Sequence, residues 1–219
     1  MKRLTVLTVL LLAGGCSSSG DSDYGQFYKA LRQSIAASFG HGRVTKEQAA
    51  AIPYASLGYR LNDGQEQLLV LATDSGGEQL WTSASHVVIA TRDGRIVRTV
   101  GLPANVSAMT PAAGQNIPPP MAALSKTIRY SRLEDLPDSQ IYGAPLACTM
   151  ISRGKQTTVI LGRGISTARI DERCVSNSLN WSFVDSYWLD ADSGLVWKSI
   201  QHVSPANGKI ETEILRPPG

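Results

Sequence analysis

The side chains that could carry acid–base or metal chemistry are few and widely spaced in this 219-residue chain. None of the three histidines, His41, His86 and His202, has a second histidine or a cysteine at the short spacing of a zinc site. Neighbouring carboxylates such as Asp171 and Glu172 should point to opposite faces of a strand, which does not suit paired glycosidase acids. No Gly-x-Ser-x-Gly elbow or phosphate-binding glycine motif is present in a strand–helix context. We therefore expect no metal, no cofactor and no catalytic residue, although a serine–histidine–aspartate triad from distant positions stays open.

Cys16 stands at the end of an export signal. Lys2 and Arg3 precede an apolar run of about ten residues, 4–13, which falls short of the ~20 residues of a spanning helix. The small residues before the cysteine resemble the lipobox of bacterial lipoproteins, in which the thiol receives a diacylglyceryl group and the cysteine becomes the new N-terminus. We predict a signal peptide over residues 1–15 and lipidation of Cys16, and cleavage without lipid is the alternative.

Lipidation of Cys16 would anchor the protein in a membrane. Each acyl chain contributes roughly 0.8 kcal/mol per buried CH₂, and a lipobox cysteine carries more than one chain. Residue 17 is serine rather than aspartate, which by resemblance to sorted lipoproteins favours the outer membrane, with the domain on its periplasmic face. In the lipidated tether, residues 16–23, the stretch 17–23 spans about 23 Å at ~3.3 Å per residue. The domain should therefore lie close to the bilayer.

Cys148 and Cys174 are the remaining cysteines, and both lie in strand-like segments of an exported chain. An even pair in an oxidising compartment indicates a disulfide, worth roughly 3–4 kcal/mol in the chain-entropy estimate. Two buried free thiols are the alternative. The lack of a Cys-x-x-Cys motif argues against a catalytic disulfide.

Composition favours one globular domain without affinity for nucleic acid. About 200 residues remain after processing, and 42% of the chain is hydrophobic, which is enough for a core. The 21 basic side chains fall to 19 when Lys2 and Arg3 are removed, against 18 acidic ones, so the formal charge drops from +3 to about +1. No basic run is interleaved with aromatic residues, and nucleic acid is therefore not an expected partner.

Residues 24–39 form the strongest helix pattern, because apolar side chains recur there at three- or four-residue spacing. Asp23 can cap its start and Gly40 can end it. We expect its apolar face to pack on the domain, and a helix lying on the membrane is the alternative. A second, short helix begins after Thr45, which opens a capping box, and ends before Pro53.

From residue 57 onward, short apolar segments alternate with turn signals at a spacing of roughly 8–12 residues, as in an antiparallel sheet, sandwich or barrel. We count about a dozen strands. The predicted turns include residues 62–64, 92–94, 153–155 and 162–164, and the proline-rich residues 102–120 form a long loop. The predicted fold is mainly β: an antiparallel meander forming a barrel-like or curled-sheet domain over residues 24–219, with an N-terminal helix packed on it.

Aromatic residues on the strands are the candidates for contact with a glycan or a protein partner. A ring offers an apolar face to sugar C–H groups, and an indole N–H or phenol O–H can bond a hydroxyl. Alternation along the strand places Phe183 and Tyr187 on the buried face and Trp188 on the more polar one. Trp188 is therefore the first candidate, followed by Trp81 and Tyr59. The alternative is that these large side chains fill the core.

Five segments and the lipobox resemble one family. The segments are IPYAS at residues 52–56, QLLVLA at 67–72, QLW at 79–81, DGRIVRT at 93–99 and YWLD at 187–190. They resemble the group 4 capsule polysaccharide lipoproteins (GfcB/YjbF family) over about residues 45–215. The resemblance implies a mostly antiparallel, barrel-like domain in an outer-membrane lipoprotein associated with secretion of capsule or exopolysaccharide. It carries over no catalytic residue, and it does not assign the Cys148/Cys174 pair to the family motif.

The leading hypothesis is a non-catalytic accessory factor of polysaccharide secretion or assembly. Its partners would be membrane lipid through the acyl anchor, and a polysaccharide, an export-machinery protein, or both. One alternative is a carrier of lipid or lipoprotein, which predicts a deep cavity lined by Leu, Ile and Val. A second is a polysaccharide-modifying enzyme, which predicts a cleft with two carboxylates or a histidine paired with an acid.

Overall fold

The computed structural model describes residues 42–219, in which one helix, twelve strands and two short 3-10 helices are present. The strands are β1 (Ser56–Leu61), β2 (Gln67–Ser75), β3 (Glu78–Thr82), β4 (Val88–Arg92), β5 (Arg95–Val100), β6 (Ala108–Pro111), β7 (Ile128–Leu136), β8 (Ile141–Ile160), β9 (Arg163–Ser176), β10 (Trp181–Leu189), β11 (Val196–Gln201) and β12 (Ile210–Arg216). Helix α1 (Lys46–Ala50) precedes them, and the 3-10 helices are Pro120–Ala123 and Pro137–Ser139. Cys16, the tether and the helix predicted over residues 24–39 lie outside the described residues.

The strands form a single antiparallel sheet that curls until its two edges meet. Its order is β5-β4-β3-β2-β1-β12-β11-β10-β9-β8-β7-β6, so that β1 pairs with β12 while β5 and β6 are the edges. The edges approach each other where the Thr99 N–H donates to the Val106 carbonyl oxygen at 2.8 Å. The Val106 N–H in turn donates to Thr99 Oγ1 at 3.1 Å. The described residues thus form a nearly closed barrel, which confirms the predicted mainly β, meandering fold and leaves little unpaired edge.

The prediction of a turn at residues 153–155 is wrong, because these residues lie within strand β8, which continues to Ile160. Gly154 has a φ of +84° and lies at a β-bulge, where the pairing with β9 shifts between Ser152 and Gly154. A turn and a bulge give the same glycine signal, since both need a backbone conformation that a side chain disfavours. The consequence is one long β8–β9 hairpin instead of two short ones.

The long loop predicted over residues 102–120 contains a strand. Ala108–Pro111 forms β6 and pairs with β7, with Met109 opposite Glu134. The prolines of this segment led to the prediction of a loop. Pro111 is nevertheless part of β6, because proline is tolerated in an edge strand, where one side of the strand needs no hydrogen-bond partner. The missed β6 and the split β8 offset each other in the predicted number of strands.

Helix α1 lies where the sequence predicts the second, short helix. The Gln48 N–H donates to Thr45 Oγ1 at 3.2 Å, and the Thr45 N–H donates to Gln48 Oε1 at 2.8 Å. This reciprocal pair is the predicted capping box. Within residues 42–219, no helix has the length and apolar character that crossing a membrane requires.

The segment around α1 covers the outward side of β2. Ala49 and Ile52 belong to one apolar cluster with Leu68 and Val70, whereas Leu69 points into the barrel. Strand β2 is therefore buried on both faces here. This explains why its sequence is a continuous apolar run and does not alternate.

An outward ionic cluster fixes the first described residues to β12. Arg43 contacts Glu211 and Glu213 at 2.7 Å each, and Lys198 of β11 contacts the same carboxylates at 2.5 and 2.7 Å. Burial opposes ionisation of Glu211, but hydrogen bonds from Lys198, Arg60 and Arg43 outweigh it and lower its pKa. The start of the described chain is thereby held on the outward face of the barrel.

Candidate functional site

A buried ionic cluster occupies the barrel interior and centres on Glu172. Its carboxylate accepts hydrogen bonds from Arg95 and Arg132 at 3.0 Å each and from the Tyr187 hydroxyl at 2.9 Å. The Tyr130 hydroxyl contacts the same carboxylate. Tyr130 and Arg132 are two residues apart on β7 and therefore share its inward face. The cluster joins β5, β7, β9 and β10.

The cluster holds Glu172 in its charged form. Burial would raise the pKa of Glu172, but Arg95, Arg132 and the hydroxyl bonds outweigh it and lower the pKa to about 2. The carboxylate likewise keeps both arginines charged, raising their pKa values despite their burial. The pKa of Tyr187 is raised by burial and by the nearby Glu172 charge. None of these groups is therefore poised to exchange a proton near neutral pH.

Glu134 is the second carboxylate of the cluster, and its situation is different. Its Oε1 accepts a hydrogen bond from Arg132 Nε at 2.9 Å, but its buried Oε2 has no hydrogen-bond partner. Burial raises the pKa of Glu134 to about 7, and the neighbouring Arg132 opposes this only in part. Glu134 is accordingly the one acid of the cluster whose protonation changes near neutral pH.

The cluster is closed off from solvent. The side chains of Arg95, Arg132 and Glu172 expose 3%, 1% and 0% of their surfaces. A polymer cannot reach the two carboxylates in this arrangement, so the cluster does not form the open, two-acid cleft of a glycan-cleaving enzyme. Its chemical role is to link distant walls of the barrel by charge-assisted hydrogen bonds.

A histidine paired with an acid is present where β11 ends beside the middle of β10. The His202 Nδ1 lies 3.0 Å from Asp185 Oδ1, which also accepts the His202 backbone N–H at 2.8 Å. Burial raises the pKa of Asp185, and the hydrogen bond from His202 opposes this. The imidazole is 5.6 Å from the Phe183 ring, which is 4.1 Å from that of Trp181. Within residues 42–219, no hydroxyl or thiol group forms a hydrogen bond with the His202 imidazole. The pair of His202 and Asp185 is therefore not part of a complete catalytic triad in this region.

A cleft of about 310 Å³ opens between the β4–β5 turn and the β10–β11 turn. Its lining combines carboxylates, Asp74 and Asp93, with apolar side chains that include Leu57 and Ile214. Gly94 closes one wall, because a Cβ at this position would lie 2.4 Å from the Val196 side chain. This mixed lining differs from the deep cavity of Leu, Ile and Val that a lipid carrier requires.

Trp188 lies half-exposed on the outward face of β10, as the alternation predicts. Its indole N–H donates to Gln156 Oε1 at 3.0 Å, and the Arg169 guanidinium lies 5.1 Å from its ring centroid. Arg169 and Arg153 bond opposite oxygens of Asp171 at 2.7 and 2.8 Å. Burial disfavours ionisation of Asp171, but the bonds from Arg169, Arg153 and Ser186 lower its pKa. Trp188 is thus held in place beside fixed charges.

Trp81 and Tyr59 are core residues, which is inconsistent with their predicted contact role. Trp81 is fully buried, and its indole N–H donates to Thr91 Oγ1 at 3.0 Å. Tyr59 is buried in the same apolar cluster, and burial raises its pKa to about 12. A ring enclosed by protein has no free face for a sugar. For these two residues the alternative, that large aromatics fill the core, is correct.

Cys148 and Cys174 form a disulfide inside the barrel. They lie directly opposite each other on β8 and β9, so the bond locks the register of the long hairpin. Their sulfur atoms lie near Glu172 in a grouping of metal-ligand type. Because both sulfurs are in the disulfide, neither is a thiolate that could bind a metal.

The interior charges are the main feature that sequence reasoning missed. Tyr130, Arg132 and Glu134 occur at every second position of β7, so they share one face of the strand. This alternation was the available signal, but charged strand residues are usually exposed unless they are paired. Their partners, Arg95 and Glu172, are tens of residues away in the sequence.

Known proteins similar to this chain share its fold and are named lipoproteins. Residues 30–215 match the family model described as group 4 capsule polysaccharide lipoprotein gfcB, YjbF. Uncharacterized lipoprotein GfcB of Escherichia coli (strain K12) is 27% identical over 222 residues, covering 99% of each chain. Uncharacterized lipoprotein YjbF of the same strain is 23% identical over 219 residues, covering 99% of this chain and 98% of the relative. The crystal structure of the hypothetical lipoprotein YmcC from Escherichia coli (K12) has a TM-score of 0.70 and 26% identity, covering 92% of this chain and 99% of that one.

Proposed function

Because the chain belongs to the group 4 capsule polysaccharide lipoprotein family, we propose that it is a non-catalytic accessory factor in the secretion or assembly of capsule or exopolysaccharide. It acts as a lipoprotein of the outer membrane, anchored through acylated Cys16 with its barrel on the periplasmic side. The barrel contacts polysaccharide, an export-machinery protein, or both.

The observation that carries the proposal is the family match over residues 30–215, which includes the whole strand region up to β12. The sequence before this region supports the anchor, since Cys16 ends a lipobox-like signal and Ser17 is the residue type that favours outer-membrane sorting. The relatives GfcB and YjbF are also named lipoproteins.

The geometry of the interior supports a role without catalysis. Glu172 of β9 and Glu134 of β7 are both buried and both bonded to Arg132. A barrel stabilised in this way is a rigid scaffold that presents outward faces. Those faces are then the surfaces that meet a polymer or a partner.

Gene deletion followed by complementation tests the proposal. We expect the deletion to reduce surface-attached polysaccharide, measured by extraction and quantification of cell-bound and released polymer. A plasmid copy of the wild-type gene should restore the surface fraction, whereas a Cys16→Ala copy should not. Normal surface polymer in the deletion strain would refute the proposed function.

A polysaccharide-modifying enzyme is the second candidate, favoured by the His202–Asp185 pair and the adjacent Trp181 ring. An imidazole held by a buried carboxylate is the arrangement of a general base. Incubating the purified protein with extracted polymer and measuring the polymer chain length tests whether the protein cleaves it. Shortening that is abolished by His202→Asn would establish this candidate, and unchanged length at high protein concentration would eliminate it.

A further inference from the structure

We propose that the outward face of β7–β9 binds an acidic polysaccharide through four arginines. The basic face is defined as Arg129 on β7, Arg153 on β8, and Arg169 and Arg173 on β9. This inference rests on the proposed function and specifies the chemical class of polymer that the protein contacts. The expected ligand is a chain that carries carboxylate or phosphate groups.

The register of the strands brings Arg129 and Arg173 into one row. Arg129 is opposite Thr149 of β8, and Thr149 is opposite Arg173 of β9, so the three side chains share a face. With strands 4.7–4.9 Å apart, the two arginines start about 9.5 Å from each other. Both are exposed, and neither forms an ion pair with any residue in the range 42–219. Two unneutralised guanidinium groups whose strand positions are this far apart can hold successive acidic groups of a polymer.

The remaining two arginines are positioned by a single acid. Arg153 and Arg169 both bond Asp171, which leaves this trio with one net positive charge. Arg169 also stacks on the half-exposed Trp188, which lies directly opposite it on β10. An ordered guanidinium loses little conformational freedom when it binds an anion, and the planar group suits bidentate contact with a carboxylate.

The charge of the face is local and does not reflect the whole protein. The chain has 21 basic and 18 acidic side chains in total. On β9, Glu172 points inward, where Arg95 and Arg132 neutralise it. Arg169 and Arg173 on the same strand point outward. The basic face therefore carries four cations and Asp171, a net charge of about +3 that attracts polyanions at low salt.

An anionic membrane surface is the other ligand that such charges could meet. The neutral residue between Arg129 and Arg173 favours the polymer, because Thr149 carries a hydroxyl group that can hydrogen-bond a sugar. A peripheral membrane site usually combines cations with large apolar side chains that enter the lipid. Among the residues that pair directly with the four arginines, Val184 of β10, opposite Arg173 and 46% exposed, is the one exposed large apolar side chain.

Binding of the full-length lipoprotein in detergent micelles to defined polymers tests the inference. We expect binding to polygalacturonate and none to dextran of matched length, with affinity that falls as salt rises because counterions are released. The double variant Arg129→Gln/Arg173→Gln should weaken polygalacturonate binding by about tenfold or more. The matched control Lys46→Gln/Arg216→Gln removes two exposed cations elsewhere and should leave the affinity unchanged. Thermal unfolding of both variants should match the wild type, because all four side chains are exposed.

Several outcomes would overturn the inference. Equal weakening in both double variants would assign binding to overall charge, and equal binding of dextran would remove the acidic requirement. Binding to phosphatidylglycerol vesicles without binding to polygalacturonate would assign the face to lipid headgroups. In cells, restoration of surface polymer by Arg129→Gln/Arg173→Gln as fully as by wild type would refute the basic face while leaving the proposed function intact. Only a deletion without effect would refute the function itself.

Discussion

Arg95 of β5 and Glu172 of β9 form an ion pair of 3.0 Å in the barrel interior, although their strands are far apart in the sheet order. The same guanidinium donates to the Pro118 carbonyl oxygen at 3.0 Å, which ties the loop between β6 and β7 to the cluster. Buried charges are tolerated only when they are paired and hydrogen-bonded. The pair therefore fixes how the two halves of the curled sheet face each other.

Replacing Arg132 should destabilise the barrel strongly. Arg132→Gln would leave Glu172 with one arginine and Glu134 without a cation, and breaking a buried pair costs about 3–5 kcal/mol. Urea unfolding measures the change in the free energy of unfolding. The matched control is Arg153→Gln. It removes a half-exposed arginine from Asp171, which is next to Glu172 on β9, and should lower the free energy of unfolding by less than about 1 kcal/mol. Equal losses for the two variants would contradict the assigned role of the interior cluster.

Stability should fall as the pH rises from about 4.5 to about 7, because of Glu134. Its pKa is raised from the ordinary value of 4.5 to about 7 in the folded state, so the folded protein binds the proton more tightly than the unfolded chain does. Stability linked to that proton is present below pH 4.5 and is lost as the pH passes through 7. Urea unfolding at a series of pH values measures this slope.

Glu134→Gln removes the titrating group and serves as the comparison. We expect the variant to lose the decline between pH 4.5 and pH 7, while its unfolding in acid stays governed by Glu172 and the other carboxylates. An unchanged decline in the variant would mean that a different group causes the pH dependence.

Strand β10 illustrates what could be predicted from the sequence. Side chains alternate along a strand, and Phe183 and Tyr187 are buried as expected, whereas Trp188 is partly exposed. The turn and strand signals likewise locate most hairpins, because glycine and asparagine at a turn act locally. The turns predicted at residues 62–64 and 92–94 accordingly separate β1 from β2 and β4 from β5.

The interior cluster could not be predicted, because it depends on contacts between residues remote in sequence. Nothing near Arg95 in the chain indicates that it will reach Glu172, and a charged residue in a strand ordinarily lies in solvent. The burial of Trp81 has a related cause. Strand β3 is covered by the closing of the barrel, and closure is a property of the whole sheet.

The Cys148–Cys174 disulfide should contribute measurably to stability. The two residues are 26 positions apart, and the chain-entropy estimate for such a loop is about 3.5 kcal/mol. Reduction of the wild type, or the double change Cys148→Ser/Cys174→Ser, should therefore lower the free energy of unfolding by a similar amount. The reductant should not affect the double variant, which controls for effects of the reagent. If reduction of the wild type leaves the free energy of unfolding unchanged, the disulfide does not contribute to stability.

Changes at residues 16 and 17 separate anchoring from sorting. Cys16→Ala removes the thiol that accepts lipid, so the variant should appear in the soluble periplasmic fraction. Ser17→Asp keeps the thiol but supplies the residue that favours retention, so this variant should move from the outer to the inner membrane fraction. Density-gradient separation of the membranes measures both effects, and mass spectrometry of the mature N-terminus reports the acyl chains.

The two outcomes bear on different parts of the proposal. If Cys16→Ala stays in the membrane fraction, something other than the acyl chains holds the protein. If the wild type is found in the inner membrane fraction, the outer-membrane assignment is wrong even though the anchor is correct. If Ser17→Asp stays with the wild type in the outer membrane, residue 17 does not decide sorting. The barrel is separate from this question, because its buried ion pairs involve only residues beyond the tether. Both variants should therefore unfold at the same urea concentration as the wild type after solubilisation in detergent.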